Sequence, residues 1–241
     1  MPKVGATYNK SCMIRSLIMA VCGALLLSAT VTNNDLQRAR DAQDRAALDG
    51  YIAELQKSAQ SAKAAALYEL ATAYSYAAEV SIEVKDKAKA EGFAEAGIEA
   101  MKKALEANPN NAEYHRLLGE LCGQVIPANA LMGALKYGQC ARDEINKAIE
   151  LDSKNGLAYV SRGVGNYYLP PQFGGSIDEA IKDFDKAISL DPKLAEAYLW
   201  KGIALRKANQ RAAARQSLET ALKLNPNSLW TKQQLEKTPA Q

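Results

Sequence analysis

The chain has 241 residues, of which 48% are hydrophobic and 24% are charged, a balance that predicts a folded domain with a buried core and excludes an intrinsically disordered chain. Its formal net charge is +3, but Lys3, Lys10 and Arg15 precede residue 30 and no acidic residue does. Beyond them, basic and acidic side chains are equal in number at 27. Nucleic-acid binding depends on a surplus of positive charge along phosphates, so this neutral remainder argues against a nucleic-acid partner.

The first 29 residues have a basic opening and then an apolar run from Ser16 to Ala29, which is the layout of a secretory signal peptide. The run is short for a membrane-spanning helix. We therefore expect a signal peptide over residues 1–29 and an exported protein, either periplasmic or secreted. Two alternatives would attach the chain to a membrane: an uncleaved N-terminal anchor and lipidation at Cys22.

Four similar phrases recur along the rest of the chain, each ending at a proline or, once, at a serine. An alanine precedes each of these stops by five residues, and a glycine follows the first three stops by ten. The stops are Pro109, Ser153, Pro192 and Pro226, the alanines are Ala104, Ala148, Ala187 and Ala221, and the glycines are Gly119, Gly163 and Gly202. Such recurrence is the signature of a repeat protein.

The last unit sets the period, since Ala187 and Ala221 are 34 residues apart. With its glycine, its alanines and its terminal proline, this unit resembles the tetratricopeptide repeat (TPR), a helix pair that stacks into a solenoid. The small residues Gly202 and Ala214 allow two helices to approach closely, and Pro226 ends the second helix. The resemblance implies an all-α fold, an alpha-alpha superhelix of TPR-like helix pairs.

The two preceding units carry lengthened loops between their helices. The unit containing Gly163 gains five residues there, and the unit containing Gly119 gains ten. In the shorter insertion, PPQFGG at residues 170–175, proline removes backbone donors and glycine permits the turn. Ser176 and Glu179 then predict a capping box for the next helix.

The segments around the repeats are assigned from the helical spacing of apolar residues. Residues 30–62 are predicted to form an N-terminal helix. Residues 63–227 form the TPR-like repeats, beginning with a long helix over 63–84 that pairs with one over 88–106. Residues 228–241 form a capping helix and a tail, because a solenoid needs a cover on its last exposed face.

The lengthened loops, the expected export and the tyrosine, proline and double-glycine loop over residues 166–175 are similar to the periplasmic T components of TRAP transporters. That similarity spans residues 63–227. It implies a helical scaffold that binds a ligand or a partner protein. As an alternative to a general secreted scaffold, it suggests a periplasmic ligand-binding accessory component of a transporter.

The sequence contains no recognisable catalytic or metal-binding constellation. His115 is the only histidine, and Cys122 follows it by seven residues, about 10 Å along a helix. His115 occupies the position that Tyr159 and Tyr198 fill in the next two units, so packing explains its presence. We therefore expect no enzyme activity, no cofactor and no metal site.

Cys122 and Cys140 bracket the ten-residue insertion. Cys122 lies one helical turn after Gly119, and Cys140 adjoins Ala141, so the two thiols fall where the helices of one unit meet. Two interpretations stay open. The pair forms a disulfide, or both cysteines pack as small hydrophobic side chains.

Repeat solenoids bind partners on a concave face lined by the first helix of each unit. Residues spaced i, i+4 and i+7 on three first helices predict a binding stripe there, apolar in the middle and charged at both ends. The stripe comprises Arg116, Glu120, Gln124, Val160, Val164, Tyr167, Leu199, Ile203 and Arg206.

This composition suits an amphipathic peptide, or a ligand with an apolar body and a polar tip. The alternative is that the N-terminal helix covers the middle of the stripe, which is then ordinary core. The sequence thus favours a non-enzymatic scaffold with a protein or peptide partner, and it leaves oligomerisation open.

Overall fold

The computed structural model describes residue 1, residues 31–127 and residues 130–240. The predicted signal peptide, residues 1–29, lies outside the described residues except for Met1. Within the described part every regular element is helical, so the all-α prediction is confirmed. The helices are α1 (Asn33–Asp41), α2 (Arg45–Ala59), α3 (Ala64–Glu83), α4 (Lys87–Ala107), α5 (Ala112–Val125), α6 (Ala130–Leu151), α7 (Gly156–Tyr168), α8 (Ile177–Leu190), α9 (Ala195–Lys207), α10 (Arg211–Leu224) and α11 (Leu229–Glu236).

Consecutive helices pack as four pairs: α3 with α4, α5 with α6, α7 with α8, and α9 with α10. The recurring small residues lie where these helices touch. A Cβ added at Gly163 would lie 2.5 Å from Phe184 Cε1, and one added at Gly202 would lie 2.6 Å from Leu218 Cγ. The recurring alanines are at most 1% exposed: Ala104, Ala148, Ala187 and Ala221. The repeat pattern therefore records close helix–helix contacts, as a solenoid of helix pairs requires.

Polar N-caps define where most of the helices begin. A side-chain oxygen before the helix accepts a hydrogen bond from a backbone N–H in the first turn, which supplies a partner that the helix itself lacks. These residues are Thr32, Asp44, Asp86, Asn111, Asn155, Ser176 and Ser228.

The N-terminal segment differs from its prediction, since two helices, α1 and α2, stand where one was expected. The break falls at Gln43, whose φ is 53°, and Asp44 then caps α2 by accepting from Ala47 N at 3.0 Å. A left-handed residue cannot continue an α-helix, so the chain changes direction here. Both α1 and α2 pack on α3.

The PPQFGG loop forms a 3₁₀ turn over Pro171–Phe173 followed by Gly174 with φ 92°. A Cβ at Gly175 would lie 1.7 Å from Leu169 O, so only glycine fits there. The loop is therefore a tight, specific turn that returns the chain to the start of α8.

Only half of the predicted capping box at the start of α8 is present. Ser176 Oγ accepts from Glu179 N at 3.3 Å. The reciprocal bond is absent in this part of the structure, because Ser176 N donates instead to Asn166 O at 3.0 Å, and Glu179 accepts from Lys182 at 2.7 Å. The long-range bond to Asn166 secures the end of the loop to α7.

None of the helices in the described ranges is both long enough and apolar enough to cross a membrane.

Candidate functional site on the central cavity

A cavity of about 520 Å³ lies among α1 and the first helices of the four units, α3, α5, α7 and α9; we call it the central cavity. Its volume is in the range of ordinary ligand pockets, roughly 300–1,000 Å³. Aromatic rings from several helices contribute to its lining: Tyr68, Tyr76, Tyr114, Tyr168, Trp200 and Trp230. The cavity therefore offers broad apolar surfaces to an occupant.

Three of the aromatic residues beside the central cavity contact one another at the junction of α7 and α9. The ring centroids of Tyr168 and Trp200 are 5.9 Å apart, and Tyr167 packs edge-on against both, at 5.0 and 6.0 Å. Burial raises the pKa of Tyr168 above its ordinary value and that of Tyr76 to about 12. Both phenols therefore stay neutral near pH 7 and act as hydrogen-bonding aromatic surfaces.

Among the described residues, carboxyl groups dominate the charged part of the lining. Two arginines contribute to it, Arg40 and Arg116. Six glutamates accompany them: Glu69, Glu79, Glu83, Glu113, Glu120 and Glu196. This excess of acidic groups favours a cationic occupant over an anionic one.

Arg40 on α1 lies at the centre of a group that we call the Arg40 cluster: Arg40, Asp41, Tyr76, Glu79 and Glu196. Its Nη1 is 3.2 Å from Glu196 Oε1 and 3.9 Å from Glu79 Oε2, and its Nη2 is 3.1 Å from Asp41 Oδ1. Its Cζ lies 4.7 Å from the centroid of the Tyr76 ring. The side chain is only 15% exposed, so these interactions act with little screening by water.

The titration of the cluster follows from burial and from these neighbours. Burial acts to lower the pKa of Arg40, but the charges of Glu196 and Glu79 outweigh it and hold that pKa well above its ordinary value. Burial raises the pKa of Glu79, against the opposing charge of Arg40. Burial likewise raises the pKa of Glu83 to about 7, although a 2.8 Å hydrogen bond from Gln43 opposes the shift.

The end of α1 also reaches the last helices of the solenoid. Asp41 Oδ2 accepts from Asn225 Nδ2 at 2.8 Å, in the turn between α10 and α11. Gln43 Oε1 accepts from Gln233 Nε2 on α11 at 3.1 Å. Together with Arg40, these contacts join α1 to both ends of the repeat array across the central cavity.

Sequence reasoning missed the Arg40 cluster, but α3 carried a signal for it. This helix buries ten residues, most of them apolar, yet Glu79 and Glu83 stand one turn apart in its last part. Carboxylates one turn apart on a helix that is otherwise covered by protein indicate a partner with positive charge.

The first part of the predicted stripe lies in the cavity lining as a hydrogen-bonded network between α3 and α5. Arg116 is 7% exposed and donates to Glu113 at 2.6 Å and to Glu120. Ser75 Oγ donates to Glu120 at 2.7 Å and accepts from Gln124 Nε2 at 2.9 Å. Burial acts to lower the pKa of Arg116, but the charges of Glu120 and Glu113 hold it above its ordinary value.

The middle of the stripe is divided. Val160 and Val164 line the central cavity, Val160 being 4% exposed and Val164 half-buried. Tyr167 is half-buried behind the lining, where Lys207 Nζ lies 4.3 Å from its ring centroid.

The last part of the stripe is covered by the C-terminal helix α11. Leu199 and Ile203 are buried in a cluster with Leu218 and Trp230. Arg206 donates to the backbone oxygen of Gln234 at 3.1 Å and to its side chain at 2.6 Å. These three predicted residues do not line the central cavity; Leu199 borders a neighbouring cavity of about 310 Å³.

The histidine and the cysteines lie between α5 and α6, away from any reactive grouping. His115 Nδ1 is 2.5 Å from Glu144 Oε2, and its Nε2 is 2.8 Å from Pro109 O, so the ring links α5 to α6 and to the preceding turn. The structure joins Cys122 and Cys140 through a disulfide, with their Cα atoms 6.0 Å apart. Among the described residues, no three His, Cys, Asp or Glu side chains are placed to hold a metal ion.

The paired helices, their 34-residue recurrence and the small residues at their contacts define a tetratricopeptide-repeat protein. Family models described as TPR repeat and tetratricopeptide repeat match residues 174–209 and 195–228. The solved thermophilic TPR protein TTC0263 of Thermus thermophilus is similar in fold, with a TM-score of 0.59 at 15% sequence identity over 85% of this chain and 97% of that one.

Within this class, the family model described as Regulator of microtubule dynamics protein 1-3 matches residues 32–169, and the chain belongs to that family. It is 27% identical over 179 residues to Regulator of microtubule dynamics protein 3 of Bos taurus, covering 67% of this chain and 37% of that protein. The Xenopus laevis protein of the same name is 28% identical over 148 residues, 54% of this chain and 31% of its own length. The chain thus spans about a third of the length of these relatives.

The family corrects one expectation from the sequence. Export to a periplasm or to the exterior is wrong, because the family is described by its relation to microtubules, which are polymers of the cell interior. A basic opening followed by a short apolar run does not by itself identify the compartment. These matches also give no support to the similarity with the T components of TRAP transporters.

Proposed function

We propose that this chain is a non-enzymatic binding module that holds a segment of a partner protein in the central cavity. The observation that carries the proposal is the cavity itself, about 520 Å³, whose described lining includes the first helix of every unit and six aromatic rings. TPR solenoids present their first helices to bound partners, and aromatic side chains dominate the energetics of protein recognition.

The polar part of the lining supports a segment that donates hydrogen bonds and carries positive charge. Gln124 Oε1 is buried and has no hydrogen-bond partner among the described residues. A buried acceptor without a partner costs free energy that an incoming donor would recover. The glutamates of α3, α5 and α9 would attract a cationic side chain into the same space.

The relatives are named as regulators of microtubule dynamics. We therefore propose that the partner is a protein that acts in that process and that this module holds it in place. Because the chain covers about a third of those relatives, the proposal concerns this helical module and not their remaining parts.

Filling the cavity tests the proposal without disturbing the core. Gly165 lines the central cavity on α7, and a Cβ built there meets no atom within 4 Å. Gly165→Leu should therefore fold, since leucine favours helix more than glycine does, and should occupy the space needed by the partner. Gly92→Leu is the matched control, because Gly92 is an exposed glycine on α4 with equally open surroundings.

Partners should be identified by copurification from the native host and mass spectrometry, with the three proteins compared at equal folded concentration. A partner that is retained by the wild type and by Gly92→Leu, but lost from Gly165→Leu, would support binding in the cavity. If every partner is retained equally by Gly165→Leu, binding occurs elsewhere and the proposal fails.

A further inference from the structure

The helix α1 is attached to the repeats largely through polar contacts. It has nine residues, of which only Leu36 and Ala39 are buried, whereas α3 buries ten. A short helix with so little buried apolar area opens at a lower free energy than the helices it covers. Arg40 is the one basic residue of α1 whose side chain is largely buried.

Among the described residues, the carboxyl groups around Arg40 outnumber this one cation. Glu79 and Glu196 lie within 4 Å of the guanidinium, Asp41 completes the ion pairs, and Glu83 belongs to the same lining. Burial favours the protonated form of Glu79 and Glu83. Removing Arg40 would still leave Glu196 and Asp41 without this cation in a poorly hydrated space. The site therefore selects for positive charge whichever chain supplies it.

The geometry also selects the kind of cation. The guanidinium faces the Tyr76 ring at 4.7 Å while one of its nitrogens approaches both Glu79 and Glu196. A planar, delocalised cation can stack on a ring and donate sideways to two carboxylates, which a lysine ammonium cannot do equally well.

We propose that α1 is the chain's own occupant of an arginine-binding site, and that an arginine-bearing helical segment of a partner protein displaces α1 and places its guanidinium against Tyr76, Glu79 and Glu196. This inference rests on the proposed function, for which it names the chemistry of the bound segment. The wild-type chain is then self-occupied, and partner binding is weakened by the competition with α1.

A synthetic fluorescein-labelled peptide of residues 31–44 serves as the probe, because it carries the native arginine in its native helix. Fluorescence anisotropy should show at least tenfold tighter binding to an Arg40→Ala chain than to the wild type. Arg38→Ala is the matched control: the Arg38 side chain is 75% exposed and pairs with Asp35, so this variant should bind the probe as weakly as the wild type does.

Two further changes locate the bound arginine. In the Arg40→Ala chain, adding Glu196→Gln should weaken the probe at least fivefold. A probe with alanine in place of its own residue 40 should bind the Arg40→Ala chain at least tenfold more weakly than the native probe. Equal binding of both probes, or equal binding to all chains, would overturn the proposal.

Hydrogen exchange on the wild-type chain provides a test that does not depend on any variant folding. Amides of residues 37–41 should exchange faster than those of residues 74–78 on α3, and excess unlabelled probe should accelerate exchange in α1 while α3 stays protected. Exchange of α1 only together with α3 would show a fixed structural helix and would overturn the inference.

The two proposals fail differently. A partner that is lost on Gly165→Leu but bound equally by the wild type and by Arg40→Ala would leave the proposed function standing and would overturn the role of α1.

Discussion

The guanidinium of Arg40 lies 3.2 Å from the carboxylate of Glu196, and 156 positions separate the two residues in the sequence. The contact joins a helix that precedes the repeats to the first helix of the last unit. Because Glu79 on α3 belongs to the same cluster, one side chain links the first unit of the solenoid to its last.

Two glycines on α7 should respond oppositely to alanine. At Gly163 the new methyl group would lie 2.5 Å from the Phe184 ring, so Gly163→Ala should destabilise the fold by roughly 1–3 kcal/mol. At Gly165 the methyl group meets open space, so Gly165→Ala should stabilise it by up to about 1 kcal/mol. Urea denaturation of both variants measures the difference. A stabilised Gly163→Ala would show that the α7–α8 contact is looser than described.

Substitutions at two positions of the predicted stripe should distinguish a buried core residue from a residue that lines the central cavity. Ile203 is 4% exposed beneath α11, so Ile203→Ser should cost about 3 kcal/mol of unfolding free energy. Val164 is half-buried in the cavity lining, so Val164→Ser should cost about 1 kcal/mol and reduce partner retention.

Melting temperature and partner retention should be measured on the same preparations of these two variants. Loss of the partner from Ile203→Ser at a near-native melting temperature would place the binding face under α11 and would contradict the assignment of the central cavity.

Stability should depend on pH through Glu83. Its pKa is about 7 in the folded chain and near 4.5 when exposed, so the folded state retains a proton that the unfolded chain has lost between these values. The free energy of unfolding should therefore fall as the pH rises from about 4.5 to 7, by up to about 3 kcal/mol. Glu83→Gln should flatten this slope and raise the melting temperature most at pH 8, since its neutral side chain can keep the hydrogen bond to Gln43.

The control for this pH dependence is Glu99→Gln, whose side chain is 66% exposed on α4 and pairs with Lys102. It should leave the slope unchanged. If Glu83→Gln retains the full slope between pH 4.5 and 7, another group of the cavity carries the titration.

The bridge between Cys122 and Cys140 should be conditional on the redox environment, because the cell interior keeps most thiols reduced. The sequence separation is 18, for which loop-closure entropy gives about 3 kcal/mol of stabilisation when the bond forms. Reductant should therefore lower the melting temperature of the oxidised wild type but not that of Cys140→Ala. Alkylation of both thiols in protein isolated under oxidising conditions would instead favour two packed cysteines.

The repeat architecture was predictable because its signals are local. A small residue is needed where the two helices of a unit touch. Gly163 and Gly202 meet this need, and the structure places Phe184 and Leu218 against them. The same holds for the buried alanines that precede each stop. These constraints recur at a fixed spacing, so a single sequence displays them.

The candidate site was only partly predictable, because it depends on which helix covers which surface. Val160 and Val164 of the predicted stripe line the central cavity, yet Ile203 of the same stripe is covered by α11. The partner of Arg40 is set by tertiary folding across the whole array, and no spacing in the sequence marks Glu196 as that partner. Contacts between helices that are distant in the sequence do not produce a periodic pattern of residues.

Because α1 and the turn after it contact both ends of the repeat array, the array should respond differently to a stretching force. An open TPR solenoid stores its stability as a sum of neighbouring interfaces, so it can extend like a spring and lose its terminal units first. Here Arg40, Asp41 and Gln43 connect α3 to α9 and to the α10–α11 region through polar contacts. Extension of the solenoid should therefore break these polar contacts before any repeat unfolds. The array should resist a small force strongly, and it should extend more easily once the contacts of α1 are broken.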